Sequence, residues 1–300
     1  MLVVGASEHL PRTTTPVHPR RRSCAMNASP ASHPAHESTA TGSPDRAAAL
    51  PLSAATETGA HPEGGRPTVV LVHGAFADSS SWNEVVSLLQ RDGYRVIAPA
   101  NPLRGLTSDA RYLSSFLETV EGPIVLAGHS YGGAVISEAA AGHPNVTALV
   151  YIAAFTPEAG ESALELSNRF PGSTLGPTLR PVTFPLADGG TGTDLYIDAG
   201  EFHQQFAADV PARVGDLMAA TQRPVAAAAL EEEATRAAWK TIPSWSLVTT
   251  QDLNIPVAAQ RFMARRAQSR IREVDASHAV SVSQPGEVAG LIEQAARSTN

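Results

Sequence analysis

The chain has 300 residues, 43% of them hydrophobic, and a formal net charge of −7 at pH 7. Its length and composition predict a soluble globular protein with a substantial core. The acidic balance excludes an extended basic surface, so we expect no nucleic-acid partner. The single cysteine, Cys24, excludes an intrachain disulfide and a metal site built from cysteines. No apolar stretch reaches the roughly 18–20 residues that cross a bilayer, so no membrane partner is expected.

Residues 1–64 are rich in Pro, Ser, Thr, Ala and His and carry no helical or strand periodicity. Such a segment buries too little apolar surface to offset its ordering entropy, so we predict a disordered N-terminal tail. It holds five of the ten histidines, which we interpret as scattered solvated residues rather than a metal site: His9, His18, His33, His36 and His61. The arginines at 20–22 are not followed by the apolar segment of an export signal, which favours a cytoplasmic location over secretion.

From residue 65 onward, short apolar runs alternate with helical patterns. The runs are near-continuous and rich in β-branched residues, as in strands that are covered on both faces; they lie at 68–73, 94–100, 123–128, 146–154, 244–250 and 271–276. The helical patterns lie at 81–91, 108–120, 131–142, 256–267 and 286–298. This alternation predicts an α/β fold with a mostly parallel sheet of about six strands flanked by helices.

Residues 157–239 interrupt the alternation. They contain a loop-rich part at 171–192, a short strand at 194–198 and helical stretches at 201–210 and 211–222. We interpret this interval as a small cap inserted between core strands, over the sheet edge where open α/β folds bind ligands. The core would then consist of residues 65–156 and 240–300.

Residues 128–132, Gly-His-Ser-Tyr-Gly, fit the pattern G-x-S-x-G, with a predicted strand before them and a predicted helix after. The tight turn between strand and helix needs very small residues two positions either side of the serine, and Gly128 and Gly132 satisfy this. The motif therefore predicts that Ser130 is a nucleophile.

A serine hydroxyl needs a base, and His278 is the best candidate among the histidines outside the tail. Two others lie inside motifs, one ends the helix after Ser130 and one lies in the cap: His73, His129, His143 and His203. His278 follows the last predicted strand, so its loop would lie at the same sheet edge as Ser130.

The imidazole in turn needs a buried carboxylate, for which Asp252 has the expected place after a strand and before His278. Asp275 is an alternative, although it lies only three positions before His278 and would have to fold back along the same loop. Glu158 and Glu161, which follow the strand at 146–154, are weaker alternatives.

Acyl transfer also requires donors for the developing oxyanion, usually backbone amides. The amide that follows the nucleophile belongs to Tyr131. A second would come from the loop after the first strand, His-Gly-Ala-Phe at 73–76, where we assign the role to Ala75.

These motifs, HGAF, GHSYGG, TTQDLNIP and ASHAV in that order, resemble the α/β-hydrolase superfamily over residues 67–300. The resemblance is to the compact branch with plant methyl-ester esterases, hydroxynitrile lyases and bacterial esterases, and it implies a triad of Ser130, Asp252 and His278. Lyases of that branch carry a lysine after the triad histidine and a threonine where this chain has Gly74. Ala279 follows His278 here, so the resemblance favours hydrolysis over lyase chemistry.

We therefore predict a serine carboxylesterase that cleaves a small or medium apolar ester through an acyl-enzyme, with no metal or organic cofactor, as a monomer or homodimer. Substrate contacts are assigned to Gly74, Phe76, Trp82 and Phe155, with weaker candidates in the cap at Phe170, Phe202, Phe206 and Met218. Two alternatives remain open. One is a ligand receptor or sensor with little turnover, and the other is lyase-like or cofactor-free chemistry.

Overall fold

The computed structural model describes residues 65–298, and the predicted tail at 1–64 lies outside them. The strands are β1 (Thr68–Val72), β2 (Val96–Ile97), β3 (Ile124–His129), β4 (Val146–Ile152), β5 (Leu179–Pro185), β6 (Thr191–Ile197), β7 (Val225–Ala226), β8 (Ser244–Thr249) and β9 (Arg270–Val274). The α-helices are α1 (Asn83–Arg91), α2 (Leu106–Leu117), α3 (Tyr131–Ala139), α4 (Ala163–Asn168), α5 (Leu175–Thr178), α6 (Phe202–Phe206), α7 (Ala212–Thr221), α8 (Ala227–Glu231), α9 (Val257–Arg266), α10 (Val280–Ser283) and α11 (Pro285–Ser298). Two short 3₁₀ helices cover Ser79–Trp82 and Ala238–Lys240.

Six strands form one sheet in the order β2-β1-β3-β4-β8-β9, and every neighbouring pair is parallel. The predicted fold class is therefore confirmed, and each of the six predicted apolar runs overlaps one of these strands. All residues of β1, β3 and β8 are buried, because helices cover both faces of the sheet.

The two faces of the sheet pack into separate apolar layers because side chains alternate along each strand. In β1, Val70 and Val72 pack in the layer that includes residues of α2, α3 and α9. Val69 and Leu71 point the other way, into the layer that includes residues of α1 and α11. Parallel strands need crossover connections, which α1, α2, α3 and α9 supply, whereas α11 follows the last strand and adds cover only.

The interval between β4 and β8 contains a second sheet, which is antiparallel with the order β5-β6-β7. The predicted strand at 194–198 corresponds to the end of β6, and the part at 171–192, predicted to be rich in loops, also contains the strand β5 at Leu179–Pro185, which the sequence analysis missed. Pro181 and Pro185 argue against a strand in the sequence because proline lacks the N–H of a ladder. They are tolerated because β5 is an edge strand with β6 as its one partner.

Two side chains of the core hold this interval in place. Arg104 forms an ion pair with Asp194 of β6 at 2.7 Å. Glu138, at the end of α3, is 9% exposed and accepts hydrogen bonds from the backbone N–H groups of Thr235 and Arg236, at 2.8 and 2.9 Å, and from the Thr235 hydroxyl. These contacts connect the antiparallel sheet and the segment before β8 to the parallel sheet and its helices.

We expect Glu138→Ala to lower the free energy of unfolding by about 1–3 kcal/mol, because it removes the acceptor of three hydrogen bonds. The matched control is Glu118→Ala at the exposed end of α2. Urea unfolding of both variants measures the difference, and equal stabilities would contradict this role of Glu138.

Candidate active site

Ser130 lies in the turn between β3 and α3, with a backbone φ of +54° and ψ of −124°. A positive φ is strained for a residue with a side chain, and its neighbours leave no room to relax. A Cβ on Gly128 would lie 2.5 Å from the Gly132 carbonyl oxygen, and one on Gly132 would lie 2.5 Å from the Val72 carbonyl oxygen. The predicted need for glycine at these two positions therefore has a direct steric cause.

His278 and Asp252 are brought together from the loops that follow β9 and β8. Asp252 Oδ2 lies 2.7 Å from His278 Nδ1, and both side chains are almost completely buried. A carboxylate can only accept, so Nδ1 carries the proton and donates it to Asp252. In the neutral ring, Nε2 is then left with a lone pair that can accept a proton.

The Asp252 carboxylate also accepts hydrogen bonds from four groups besides His278, at 2.8–2.9 Å: Asn254 N–H, Ile255 N–H, Thr249 Oγ1 and Gln260 Nε2. Burial by itself would raise the pKa of Asp252, but His278 and the backbone N–H donors hold this pKa below its ordinary value. The carboxylate is therefore ionised at neutral pH although it is buried.

The alternative acids make other contacts. Asp275 accepts from Thr250 Oγ1 at 3.0 Å and from Gln251 Nε2 at 2.8 Å, and the Gln251 bond lowers its pKa. Glu158 pairs with Lys240 at 2.6 Å. Glu161 pairs with Arg169, which directly follows α4, and with Arg266 of α9.

Ser130 and His278 line one cavity of about 140 Å³ beneath the segment between β4 and β8. Among the hydrogen bonds of residues 65–298 there is none between these two side chains, and such contacts are often loose in enzymes without substrate. The apolar wall contributed by residues 157–239 includes Leu164, Leu175, Leu179, Leu195 and Leu230. Sequence reasoning missed these leucines, because leucine is common and its spacing carries no signal for a pocket.

Ala75 and Tyr131 line the same cavity as Ser130. The next amide along the chain, that of Phe76, already donates to the Arg223 carbonyl at 3.0 Å, and Phe76 has a φ of +60°. The Phe76 N–H is therefore already engaged within the protein, and the role of the Ala75 N–H as a second donor stays a prediction.

The His73 ring connects the loop that carries Ala75 to the segment of Asn101. Its ring accepts from the Asn101 N–H at 2.9 Å, so its other nitrogen donates to the Gly74 carbonyl at 3.0 Å. Burial lowers the pKa of His73, which keeps the ring neutral. A Cβ on Gly74 would lie 2.6 Å from Ser130 Cβ, so glycine permits the close approach of this loop.

The predicted substrate contacts divide into two groups. Phe76 and Phe155 line the cavity, whereas Gly74 lies against Ser130 and is not among the described lining residues. Assigning Trp82 to the cavity was wrong. Its ring is fully buried in the layer of α1 and α11 and stands edge-on to His129 at 6.3 Å.

The weaker candidates of the cap also lie away from the cavity lining that the structure describes. Phe170 packs against Phe262, with ring centroids 5.4 Å apart, and Met218, a residue of α7, lines a second groove. Phe202 and Phe206 are stacked with ring centroids 5.0 Å apart, and Phe206 stands edge-on to His278.

His129 is a buried histidine that joins the turn of Ser130 to the loop of His278. Its Nε2 donates to the His278 carbonyl at 2.9 Å. Burial, reinforced by the neighbouring His278, lowers the pKa of His129 to about 3, so the ring is neutral at physiological pH. Sequence reasoning set this histidine aside as part of the motif.

The sequence model of the Alpha/beta hydrolase family matches residues 69–291. The chain belongs to this family. Among residues 65–298, no helix combines the length and apolarity required to cross a membrane, and no three His, Cys, Asp or Glu side chains are grouped as metal ligands.

Three relatives show how far the similarity extends. A carbendazim hydrolyzing esterase of Nocardioides sp. (strain SG-4G) is 34% identical over 110 residues, which are 32% of this chain and 46% of that protein. A pyrethroid hydrolase of Sphingobium wenxiniae is 39% identical over 100 residues, 29% of this chain and 35% of that protein. The chain thus spans less than half the length of these two relatives. The alpha/beta hydrolase nvfD of Aspergillus novofumigatus is 25% identical over 77% of this chain and 97% of its own.

Solved structures share the fold at lower identity. Polyneuridine aldehyde esterase superimposes with a TM-score of 0.67 at 18% identity, covering 77% of this chain and 99% of its own. A pyrethroid hydrolase from Sphingobium faniae JZ-2 superimposes with a TM-score of 0.63 at 24% identity, covering 77% and 98%.

The low pKa of His129 predicts a pH-dependent stability. In the unfolded chain His129 titrates near 6.5 and in the folded protein near 3, so between these values the unfolded state binds more protons. Its contribution is complete above pH 6.5 and is lost as the pH falls toward 3, with a slope of up to about 1.4 kcal/mol per pH unit. We expect His129→Gln, whose amide can still donate to the His278 carbonyl, to remove this part of the slope.

Urea unfolding of the wild type and of His129→Gln between pH 4.5 and 7 measures the two slopes. The difference between the two slopes removes the contribution of the carboxylates that titrate in the same pH range, because both proteins contain them. Identical slopes would show that His129 is protonated as readily in the folded protein as in the unfolded chain.

Proposed function

We propose that this protein is a serine hydrolase that cleaves small or medium apolar carboxylic esters through an acyl-enzyme. The observation that carries the proposal is the buried pair of Asp252 and His278, whose base lines the same cavity as a serine in a strained strand-to-helix turn. The similarity to a carbendazim hydrolyzing esterase and a pyrethroid hydrolase supports hydrolysis of this kind.

In the proposed first step, His278 Nε2 takes the proton of the Ser130 hydroxyl as Oγ attacks the carbonyl carbon of the ester. The carbonyl oxygen becomes an oxyanion, which accepts hydrogen bonds from the backbone N–H groups of Ala75 and Tyr131. His278 then returns the proton to the departing alcohol. The product of this half-reaction is an acyl group on Ser130.

In the second step, His278 takes a proton from water, whose oxygen attacks the acyl carbon, and returns this proton to Ser130 as the acid leaves. Asp252 stays ionised throughout, since its pKa lies below the ordinary value. Its charge keeps the proton of His278 on Nδ1 and stabilises the imidazolium that forms in each step.

The cavity wall supports an apolar substrate. Its described lining is mostly aliphatic and aromatic, contains no lysine or arginine, and has Glu231 as its one acidic residue. A cavity of this composition favours uncharged acyl and alcohol groups over carboxylate-bearing ones. Ala279, the residue after His278, is buried and supplies no cation for lyase chemistry.

Replacement of the nucleophile tests the reaction class. We expect Ser130→Ala to lower kcat for p-nitrophenyl butyrate by at least about 10³-fold and to abolish labelling by a fluorophosphonate, because the attacking oxygen is lost. The matched control is Ser137→Ala, a buried serine of α3, the helix that follows Ser130, whose hydroxyl bonds the Gly133 carbonyl and the Tyr151 hydroxyl. Unchanged turnover in Ser130→Ala would refute the mechanism, and saturable ligand binding without turnover in the wild type would favour a receptor.

Replacement of the acid tests which carboxylate serves His278. We expect Asp252→Asn to lower kcat by about 10³- to 10⁴-fold, because an amide no longer fixes the proton on Nδ1. Asp275→Asn is the control and should keep activity within about threefold of wild type, a small factor for an exposed group outside the site. Steady-state kinetics, with circular dichroism to verify the fold, distinguish the two. A silent Asp252→Asn together with an inactive Asp275→Asn would transfer the role to Asp275.

A further inference from the structure

The short helix α6 contacts both loops that carry the Asp252–His278 pair. On the acid side, Gln205 Nε2 donates to the Leu253 carbonyl at 2.9 Å and to Asn254 Oδ1 at 2.7 Å. Gln205 is itself buried, and its Oε1 accepts from Thr174 Oγ1 at 2.8 Å. The residues that directly follow Asp252 are therefore held by a helix of the segment between β4 and β8.

On the base side, one carbonyl holds the residues before and after His278. The Phe206 carbonyl accepts from the Ala279 N–H at 3.0 Å and from Ser277 Oγ at 3.3 Å. Ser277 Oγ also lies within hydrogen-bond distance of Asp209 Oδ1. The position of the backbone on both sides of His278 thus depends on the position of the last residue of α6, Phe206.

The Phe206 side chain restricts the imidazole as well. Its ring stands edge-on to His278, with centroids 4.9 Å apart and planes at 80°. His129 lies against the same imidazole at 4.7 Å and 51°, and also contacts Phe206 at 6.2 Å. Phe206 is 1% exposed and is not among the described lining residues of the cavity, so its contact is with the base rather than with substrate.

We propose that Phe206 is a positioning residue, through which α6 sets the orientation of the general base His278. The bond from Nδ1 to Asp252 fixes one edge of the imidazole and leaves the ring free to swing about that edge. The ring of Phe206 on one side and that of His129 on another limit this swing and direct Nε2 toward Ser130. A misplacement of about 1 Å in a reacting group can cost on the order of 10²-fold in rate.

This inference rests on the proposed serine-hydrolase function for its kinetic consequence. It assigns a second role to the segment between β4 and β8, which encloses the substrate and also holds the base. A change in the docking of α6 would then alter kcat without altering the apolar wall that binds substrate.

The test compares Phe206→Leu with Phe202→Leu. Both variants replace a buried phenylalanine of α6 by leucine, so the same number of side-chain atoms is removed in each. We expect both variants to lower Tm by similar amounts. Phe206→Leu should lower kcat for p-nitrophenyl butyrate about tenfold or more with KM within about threefold, whereas Phe202→Leu should keep kcat within about threefold. Ser277→Ala, which removes a hydroxyl and leaves the core intact, should lower kcat about five- to tenfold and provides a milder variant if Phe206→Leu does not fold.

A second readout is independent of ester turnover. The Nδ1–H of His278, held against the Asp252 carboxylate, should give a low-field proton resonance, assigned by its loss in His278→Ala. We expect this resonance to broaden or vanish in Phe206→Leu, because the imidazole swings and its proton exchanges with water, and to persist in Phe202→Leu.

The two readouts distinguish the failures. A wild type that hydrolyses no ester would refute the proposed function, and the resonance alone would then decide the role of Phe206. Wild-type kcat or an unchanged resonance in Phe206→Leu would overturn the positioning role. An equal loss of kcat in Phe202→Leu would also overturn it, because the effect would then belong to general packing of the helix.

Discussion

The structure around the candidate site depends on one buried negative charge. A carboxylate removed from water costs several kcal/mol unless its charge and lone pairs are compensated. Asp252 obtains this compensation from five donors that lie on β8, on the loop after it, on α9 and on the loop after β9. Compensation of the charge therefore holds these four segments in a single arrangement, and this arrangement keeps His278 in place.

The turn at Ser130 has a different energetic cost. Its backbone is strained, and the surrounding contacts must offset that strain. A non-glycine residue at positive φ costs about 1–2 kcal/mol. The Ser130 carbonyl accepts from the N–H groups of Gly133 and Phe155, and its own N–H donates to Ile152. These hydrogen bonds connect the turn to β4 and to the segment after it. They hold Ser130 where it lines the cavity.

Much of the core could be predicted because the sequence patterns of its strands and of its helices are both local. β-Branched runs such as that of β1 and amphipathic stretches such as that of α11 show their periodicity within a few residues. β5 could not be predicted, since Pro181 and Pro185 are compatible with a strand only at a sheet edge, and an edge is a property of the assembled sheet. The leucines of the cavity wall could not be predicted either, because they come from segments that are distant in the chain.

The sequence by itself determined the parallel α/β core and the motif around Ser130. It also narrowed the candidates for base and acid to His278 and Asp252, because strand order and local sterics constrain these choices. Only the tertiary structure decided that Trp82 lies outside the described cavity lining, that Asp275 binds Thr250 and Gln251, and that Phe206 contacts His278. The reason is physical: each of these facts depends on which segments pack together, and packing partners distant in the chain leave no periodic trace in it.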